Sequence, residues 1–533
     1  VIYIKDIIKE DSYFYNVEQP IDVEINPVVG IVDCPNEQVQ LPMTYNFSND
    51  GNLLIIGGSG YGKTTFIQTL ILSLALNYSP NDVNMYFLDF GTRTLKVFED
   101  MPHVGDVVLS DDEEKVNNLF KILRKEIEKR KMLFSEFGAS SLGNYRLATN
   151  KRMPQIIVII DNFIGFKESY GILQEELLFL TREGAALGIS VVLSNPVTTG
   201  LSYKFAGNFK NKLVFTCVDK SEYSNVFTGN RIVPTNLRGR ALVNFNGINE
   251  AQIAICGDEN VVQEFERIKA IRDIIDDINT NYTGRSAAKI PTTPEVIYLE
   301  DMLKEIAIEE EELAVPCGFS NENLENISVS LSKYPLFTLI GDSKSGRTNM
   351  MKNIISTCEN YSDNAEFIIF ETPASGLGEL KDKAIIKMQG TTKEEYSEML
   401  SYIILELNRR MSSGEGEKHS RLIILIDNIN NIIKQLEKKE VDMFEQIARE
   451  GKIYNIVLVV AGSDNDIKTN VYSVRFLKVM KEAQAGIVFS SLNNQNFFNA
   501  RLKYSAKEAE FKKGDGYLVL NTNFYRIKTP KHL

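Results

Sequence analysis

The first ten residues of this chain, Val1-Ile2-Tyr3-Ile4-Lys5-Asp6-Ile7-Ile8-Lys9-Glu10, return in near copy as Val296-Ile297-Tyr298-Leu299-Glu300-Asp301-Met302-Leu303-Lys304-Glu305. A chain that repeats itself folds into the same thing twice. The register holds further on. Gly30-Ile31 is matched by Gly318-Phe319 and Gly57 by Gly341. The apolar run 156–160 ending in Asp161-Asn162 is matched by 422–426 ending in Asp427-Asn428, and Thr181-Arg182-Glu183-Gly184 by Ala448-Arg449-Glu450-Gly451. Two domains are expected, over 29–278 and 314–533, with a lead-in linker over 1–28 and an interdomain linker over 279–313. The second linker follows a helical stretch over 261–278 and carries Asn279-Thr280-Asn281-Tyr282-Thr283-Gly284 and the prolines 291 and 294, which is turn chemistry. The acidic run Glu309 to Glu312 reads as a solvated segment without function.

Each copy contains one stretch with chemistry. In the first, the apolar run 53–56 enters Gly57-Gly58-Ser59-Gly60-Tyr61-Gly62-Lys63-Thr64-Thr65, and Phe66, Ile67, Leu70, Ile71 and Leu74 follow at helical spacing. Gly57 to Thr64 fits G-x-x-x-x-G-K-[ST], a loop whose backbone N–H groups curl around phosphate oxygens at a helix N-terminus. Lys63 would neutralise the β- and γ-phosphates of ATP, and Thr64 would ligate Mg²⁺. Short apolar runs at 85–88, 156–160, 189–193 and 213–218 alternate with helical segments such as the amphipathic stretch 113–134. The expected class is α/β: two tandem P-loop NTPase (RecA-like) domains, each a mainly parallel sheet flanked by helices. The run 156–160 is apolar on both faces, as a central strand is, and delivers Asp161 to the carboxyl end of the sheet, where it can hold Mg²⁺ through its water shell.

Both copies depart from a hydrolytic pattern after this Asp. Asn162 and Asn428 stand where many P-loop ATPases carry the Glu that polarises water. An amide can orient water but cannot accept its proton, and general-base assistance is worth roughly 10²–10⁴-fold, so the first site is expected to bind ATP and turn it over slowly. Its catalytic residues remain unassigned. In the second copy, Gly341, Ser345, Gly346, Arg347 and Thr348, with Asp427, are the corresponding nucleotide-binding candidates. Arg347 replaces the point charge of a Lys with a bulkier planar fork, and the loop is either a nucleotide site or a relic of the fold.

Composition narrows the setting. With 43% apolar and 24% charged residues and no apolar run near the roughly 20 that span a bilayer, nothing in the chain crosses a membrane. The chain opens on Val1 without a signal peptide or initiating Met, which reads as part of something longer whose membrane anchor lies elsewhere. Cysteines 34, 217, 256, 317 and 358 lack CxxC spacing, and only three His are present, which points to a reducing compartment and no zinc site. A net charge of −12 argues against a DNA-gripping surface.

Several stretches carry a family resemblance: Leu88-Asp89-Phe90 with Met101-Pro102-His103-Val104, Glu126 to Lys131 with Asn144-Tyr145, and Thr181-Arg182-Glu183-Gly184-Ala185-Ala186-Leu187-Gly188-Ile189. On these the chain resembles the FtsK/SpoIIIE ATPases. Its tandem copies, the openings Gly30-Ile31-Val32-Asp33 and Val315-Pro316-Cys317-Gly318, and the endings Arg238-Gly239-Arg240-Ala241-Leu242 and Gly514-Asp515-Gly516-Tyr517 are similar to the type VII (ESX/Ess-like) secretion branch. The resemblance implies two C-terminal ATPase domains on the cytoplasmic side of a bacterial membrane-anchored motor. Such a motor uses ATP and Mg²⁺, takes small helical-hairpin proteins by their C-terminal tails, contacts membrane-embedded secretion components and assembles as a ring. Related DNA pumps have Arg at the place of Ala185 and Gln-Arg-Pro where this chain has Ser194-Asn195-Pro196-Val197. A ring motor implies an arginine finger, for which Arg130, Arg182 and Arg240 are unranked candidates. A DNA translocase and a nucleotide-stabilised scaffold without turnover are the competing readings.

Overall fold

The structure is a computed structural model that describes residues 1–8, 15, 19–259, 263–305, 313–361, 365–413, 419–502 and 510–532. The acidic run 309–312 lies outside them. The chain divides into two compact units, Val1–Pro291 and Thr292–Leu533.

Among the described residues the first unit is built on an eleven-stranded sheet. Six adjacent strands run parallel: Asn211–Phe215, Leu53–Ile56, Ile189–Asn195, Gln155–Asp161, Val83–Asp89 and Val104–Leu109. The central three are buried along their whole length, which is why they read as unbroken apolar runs. Antiparallel strands extend the sheet beyond 211–215: Arg240–Asn244, Ile248–Ile255, Val28–Cys34 and Val39–Thr44. The expected run 213–218 is thus a strand only through Phe215.

One side of the sheet packs on the helix Lys63–Asn77, whose residues Phe66 to Leu76 are all buried. A helix apolar on every face needs cover all round. The cover comes from Ile4, Ile25, Tyr45 and the stripe Ile271, Ile275, Ile278 of the helix Glu264–Asn281. The other side packs on the helix Glu113–Glu136 through Val116, Leu119, Phe120, Leu123, Ile127 and Phe134.

The flanking segments are bonded into the unit. Residues 19–27 are held by Arg146, which donates to the Val23 carbonyl at 3.1 Å, and by the Tyr78 hydroxyl, which accepts from Asn26 N–H at 2.8 Å. The helix Glu264–Asn281 runs three residues past the position where linker was expected to begin. Beyond it, Ala287 N–H donates to Pro102 O and the Tyr86 hydroxyl to Ala288 O, both at 2.8 Å, with Ile290 buried.

The second unit repeats this plan with a ten-stranded sheet of the same order. Its parallel core places Leu336–Ile340 between Ala485–Val488 and Ile456–Gly462, followed by Arg421–Ile426, Ala365–Phe370 and Ile386–Gly390. The repeated openings also do the same thing. Ile2–Tyr3 pairs in parallel with Ala254–Ile255, and Tyr298 forms the corresponding bridge to Lys531.

Candidate nucleotide site

In the first unit the loop 57–62 leaves the carboxyl end of the strand Leu53–Ile56 and caps the helix that begins at Lys63. Gly57 has no room for a side chain, because an added Cβ would lie 2.6 Å from Phe215 Cβ. Gly62 holds a left-handed φ of +117° that turns the backbone into the helix. The loop is anchored from outside: Gly57 N–H donates to Asn195 O at 3.2 Å, Gly58 N–H to Thr216 O at 2.9 Å, and Gly239 N–H to Tyr61 O at 3.3 Å. Ser59 and Gly60 are exposed, Tyr61 is half-buried against the core, and Thr65 lies in the first helical turn. The Lys63 ammonium donates to Gly57 O at 2.6 Å and Gly58 O at 2.9 Å. Burial lowers its pKa, while the Asp161 carboxylate pulls it back up.

Asp161 faces this loop. Thr64 Oγ1 and Asp161 Oδ2 are 3.5 Å apart, which brings together the two residues expected to hold Mg²⁺. A hydroxyl and a carboxylate are hard oxygen donors, and here they stand at a helix N-terminus lined with backbone N–H groups, a set that suits a magnesium nucleotide. The Asp161 carboxyl is buried and pushed upward in pKa, and nearby Asp89 adds to this, whereas Ser194 and Lys63 oppose it. Asp89, directly beside Asp161 in the sheet, is spent on structure: its oxygens accept the N–H groups of Gly91, Arg93 and Leu95. Burial pushes the thiol of Cys217, which also lies near Lys63, up to about 11, so it stays protonated.

Asn162 sits at φ +69°, in the left-handed region that Asn adopts more readily than Glu. Its amide donates to Phe90 O at 3.0 Å, so the side chain ties two strand ends together. Asn428 has the same backbone shape at φ +56°. The turn geometry shared by both units favours Asn over Glu at this position.

The second unit keeps the frame and changes the contents. Gly341 N–H donates to Gly462 O at 3.1 Å, as Gly57 does to Asn195 O, and Gly346 at φ +122° precedes the helix Arg347–Tyr361 that contains Thr348. Asp342 and Lys344, both exposed, stand where the first loop has Gly58 and Gly60, and Lys344 adopts φ +64° against +80° for Gly60. The Asp342 carboxylate in the loop works against phosphate, a signal legible in the sequence beside the glycines and the Arg. Ser345 Oγ is buried without a partner. Burial raises the pKa of Asp427, and Arg347 lowers it. Ala461 and Gly462 replace Ser194 and Asn195 at the matching strand end.

The arginine candidates separate. Arg130 is 1% exposed and saturated: Nε donates to Glu126, Nη1 to Leu187 O and Gly188 O, and Nη2 to Pro154 O. It is a strut, and it cannot reach a second subunit. Arg240 follows Gly239, which touches its own unit's loop. Arg182 is half-exposed beside Glu183. It precedes the strand Ile189–Asn195 and therefore sits at the end of the sheet opposite the loop. Ala185 packs against Gly51, where an added Cβ would lie 2.7 Å from its own.

Two sheets of this order, each with a strand–loop–helix turn and an Asp at the end of a buried strand, define tandem P-loop NTPase domains. Residues 19–200 match the FtsK/SpoIIIE family, and the chain's homologues are type VII secretion proteins. It is 25% identical over 533 residues to EssC of Staphylococcus aureus (strain MRSA252), which covers 99% of this chain and 35% of that protein. It is 25% identical over 514 residues to YukB of Bacillus subtilis (strain 168), covering 94% and 34%. The chain thus spans about a third of the length of these curated relatives. Among solved structures, ATPases 2 and 3 of EssC from Geobacillus thermodenitrificans share the fold with a TM-score of 0.82 at 22% identity, over 97% of this chain and 99% of that one. ATPases 2 and 3 of Thermomonospora curvata EccC, in complex with a signal sequence peptide, share it with a TM-score of 0.63 at 21% identity, over 95% and 93%. No helix among the described residues is long and apolar enough to cross a membrane.

Proposed function

We propose that this chain is the ATP-using end of a type VII secretion motor, with ATP and Mg²⁺ bound in the first unit and the tail of a secreted helical-hairpin protein recognised by the second. The observation that carries the reading is the Thr64–Asp161 pair at the mouth of the first loop, in a chain that matches two consecutive EssC ATPase domains from end to end. Lys63, released from the Gly57 and Gly58 carbonyls, would turn to the β- and γ-phosphates, and Thr64 and Asp161 would hold the metal's inner and outer shells. Mg²⁺ neutralises phosphate charge when bound. Asn162 offers no base, so turnover is slow unless a neighbouring subunit completes the site. Arg182, on the face away from its own loop, would be the candidate to do this in a ring.

Support for the second unit's role is the signal sequence peptide held by the Thermomonospora EccC domains and the altered phosphate loop of this one. The unit would serve a motor fixed in a bacterial membrane by parts outside this chain, in contact with membrane-embedded components and with its bulk in the cytoplasm. The test titrates a labelled substrate tail and a labelled DNA duplex against the chain at low and high salt. Tail binding that changes little with salt is the expected result. DNA binding that collapses with salt, with no tail binding, overturns the proposal.

A further inference from the structure

Ser194 lies at the joint between the loop and Asp161. It is the penultimate residue of the strand Ile189–Asn195, fully buried, with the loop's strand on one side and the Asp161 strand on the other. Side chains alternate along a strand. Val192 and Ile159 face the helix Lys63–Asn77, so Ser194 and Asp161, each two residues further on, face it too.

The hydroxyl makes two bonds. It accepts the N–H of Asn162 at 2.9 Å and lies within hydrogen-bond distance of Asp161 Oδ1. The Asn162 N–H takes one of its two lone pairs, and because an ionised carboxylate can only accept, the hydroxyl donates its single proton to Oδ1. Oδ1 is thereby engaged, and Oδ2 is left turned to Thr64. The second unit has lost this arrangement: Ala461 occupies the matching position, and Asn428 N–H stabilises the Asp427 carboxylate directly.

We propose that Ser194 is a positioning residue for Mg²⁺ in the first unit, fixing the Asp161 carboxylate so that Oδ2 meets the water shell of the metal held by Thr64. The inference rests on the ATP reading above. Groups that orient a metal's ligands are worth roughly 10–100-fold in metal affinity.

The test follows the rise in melting temperature that ATP gives the chain as Mg²⁺ is titrated. The readout is the Mg²⁺ concentration at half the full rise, with ATP in EDTA as the metal-free control. Ser194→Ala should raise this half-point about tenfold or more, leave the metal-free response unchanged, and be rescued by Ser194→Thr. A purely structural serine would lower the melting temperature with and without ligand and leave the half-point in place. That outcome overturns the proposal. If the alanine variant does not fold, Ser194→Cys, whose thiol is a weak donor, must move the half-point in the same direction, and a wild-type value there overturns it equally. A wild-type chain with no Mg²⁺-dependent rise sinks the ATP reading itself. A normal wild-type rise with an unmoved variant sinks the role of Ser194 alone.

Discussion

Replacing Lys63 by Ala tests the first site most directly, and the size of the effect follows from the size of the unit. The first unit spans 291 residues, and an unfolding entropy of about 2.1 cal/mol/K per residue gives it about 0.6 kcal/mol/K at the midpoint. A ligand at 100 times its Kd stabilises the state it binds by about 2.7 kcal/mol, so saturating ATP with Mg²⁺ should raise this unit's Tm by about 4–5 °C. The ammonium's partners in the chain are two loop carbonyls on a half-open surface, so Lys63→Ala by itself should move the ligand-free Tm by no more than about 1–2 °C. Differential scanning calorimetry with and without ATP and Mg²⁺ reads both quantities. The expected result is a rise in the wild type and none in Lys63→Ala, while Arg347→Ala in the second unit keeps the rise. A full rise surviving in Lys63→Ala would refute the assignment of the loop as the phosphate cradle.

Three further outcomes follow from other parts of the chain. Arg130→Ala strands Glu126 and three backbone carbonyls and should cost about 3–5 kcal/mol in urea unfolding, whereas the surface change Arg182→Ala stays within about 0.5 kcal/mol. Asn162→Glu forces a left-handed backbone on a Glu and breaks the tie to Phe90 O, for a loss of about 2–3 kcal/mol that Asn162→Gly, losing the tie alone, should show only in part. In the second unit, hydrogen bonds from Arg409 and then from Arg410 hold the Glu406 carboxyl at about 2, below its usual 4.5. A depressed carboxyl stabilises the fold above its unfolded pKa, and this contribution is lost as pH falls from 4.5 through 2. Glu406→Gln should therefore flatten acid unfolding in that window, as followed by circular dichroism.

The parts of the site that are continuous in sequence were legible there. Gly57 to Thr65 lie on one turn, and the run before Asp161 is apolar because its strand is buried on both faces. What depended on distant partners was not legible. Arg130 stands among Ile127 and Phe134 on the buried stripe of its helix, yet its acceptors come from residues 154, 187 and 188, so in the sequence it stood as an unranked arginine-finger candidate. The antiparallel hairpins at 28–44 and 240–255 went unread as strands because half of their residues face solvent or loops and their apolar runs are short. Asn162 was visible as a departure, but its cause, a φ of +69°, is a backbone property that the letter N does not reveal. Ser194 and Asn195 close the strand Ile189–Asn195 with two buried polar residues, and that polar end was the available signal.

The pairing of Ile2–Tyr3 with Ala254–Ile255, and of Tyr298 with Lys531, ties the opening of each unit to a segment late in that same unit. In the first unit the two paired segments lie side by side and point the same way. A pull that draws the start of Ile2–Tyr3 away from the end of Ala254–Ile255 slides the two along their axes, so their hydrogen bonds are loaded together in shear instead of parting one at a time.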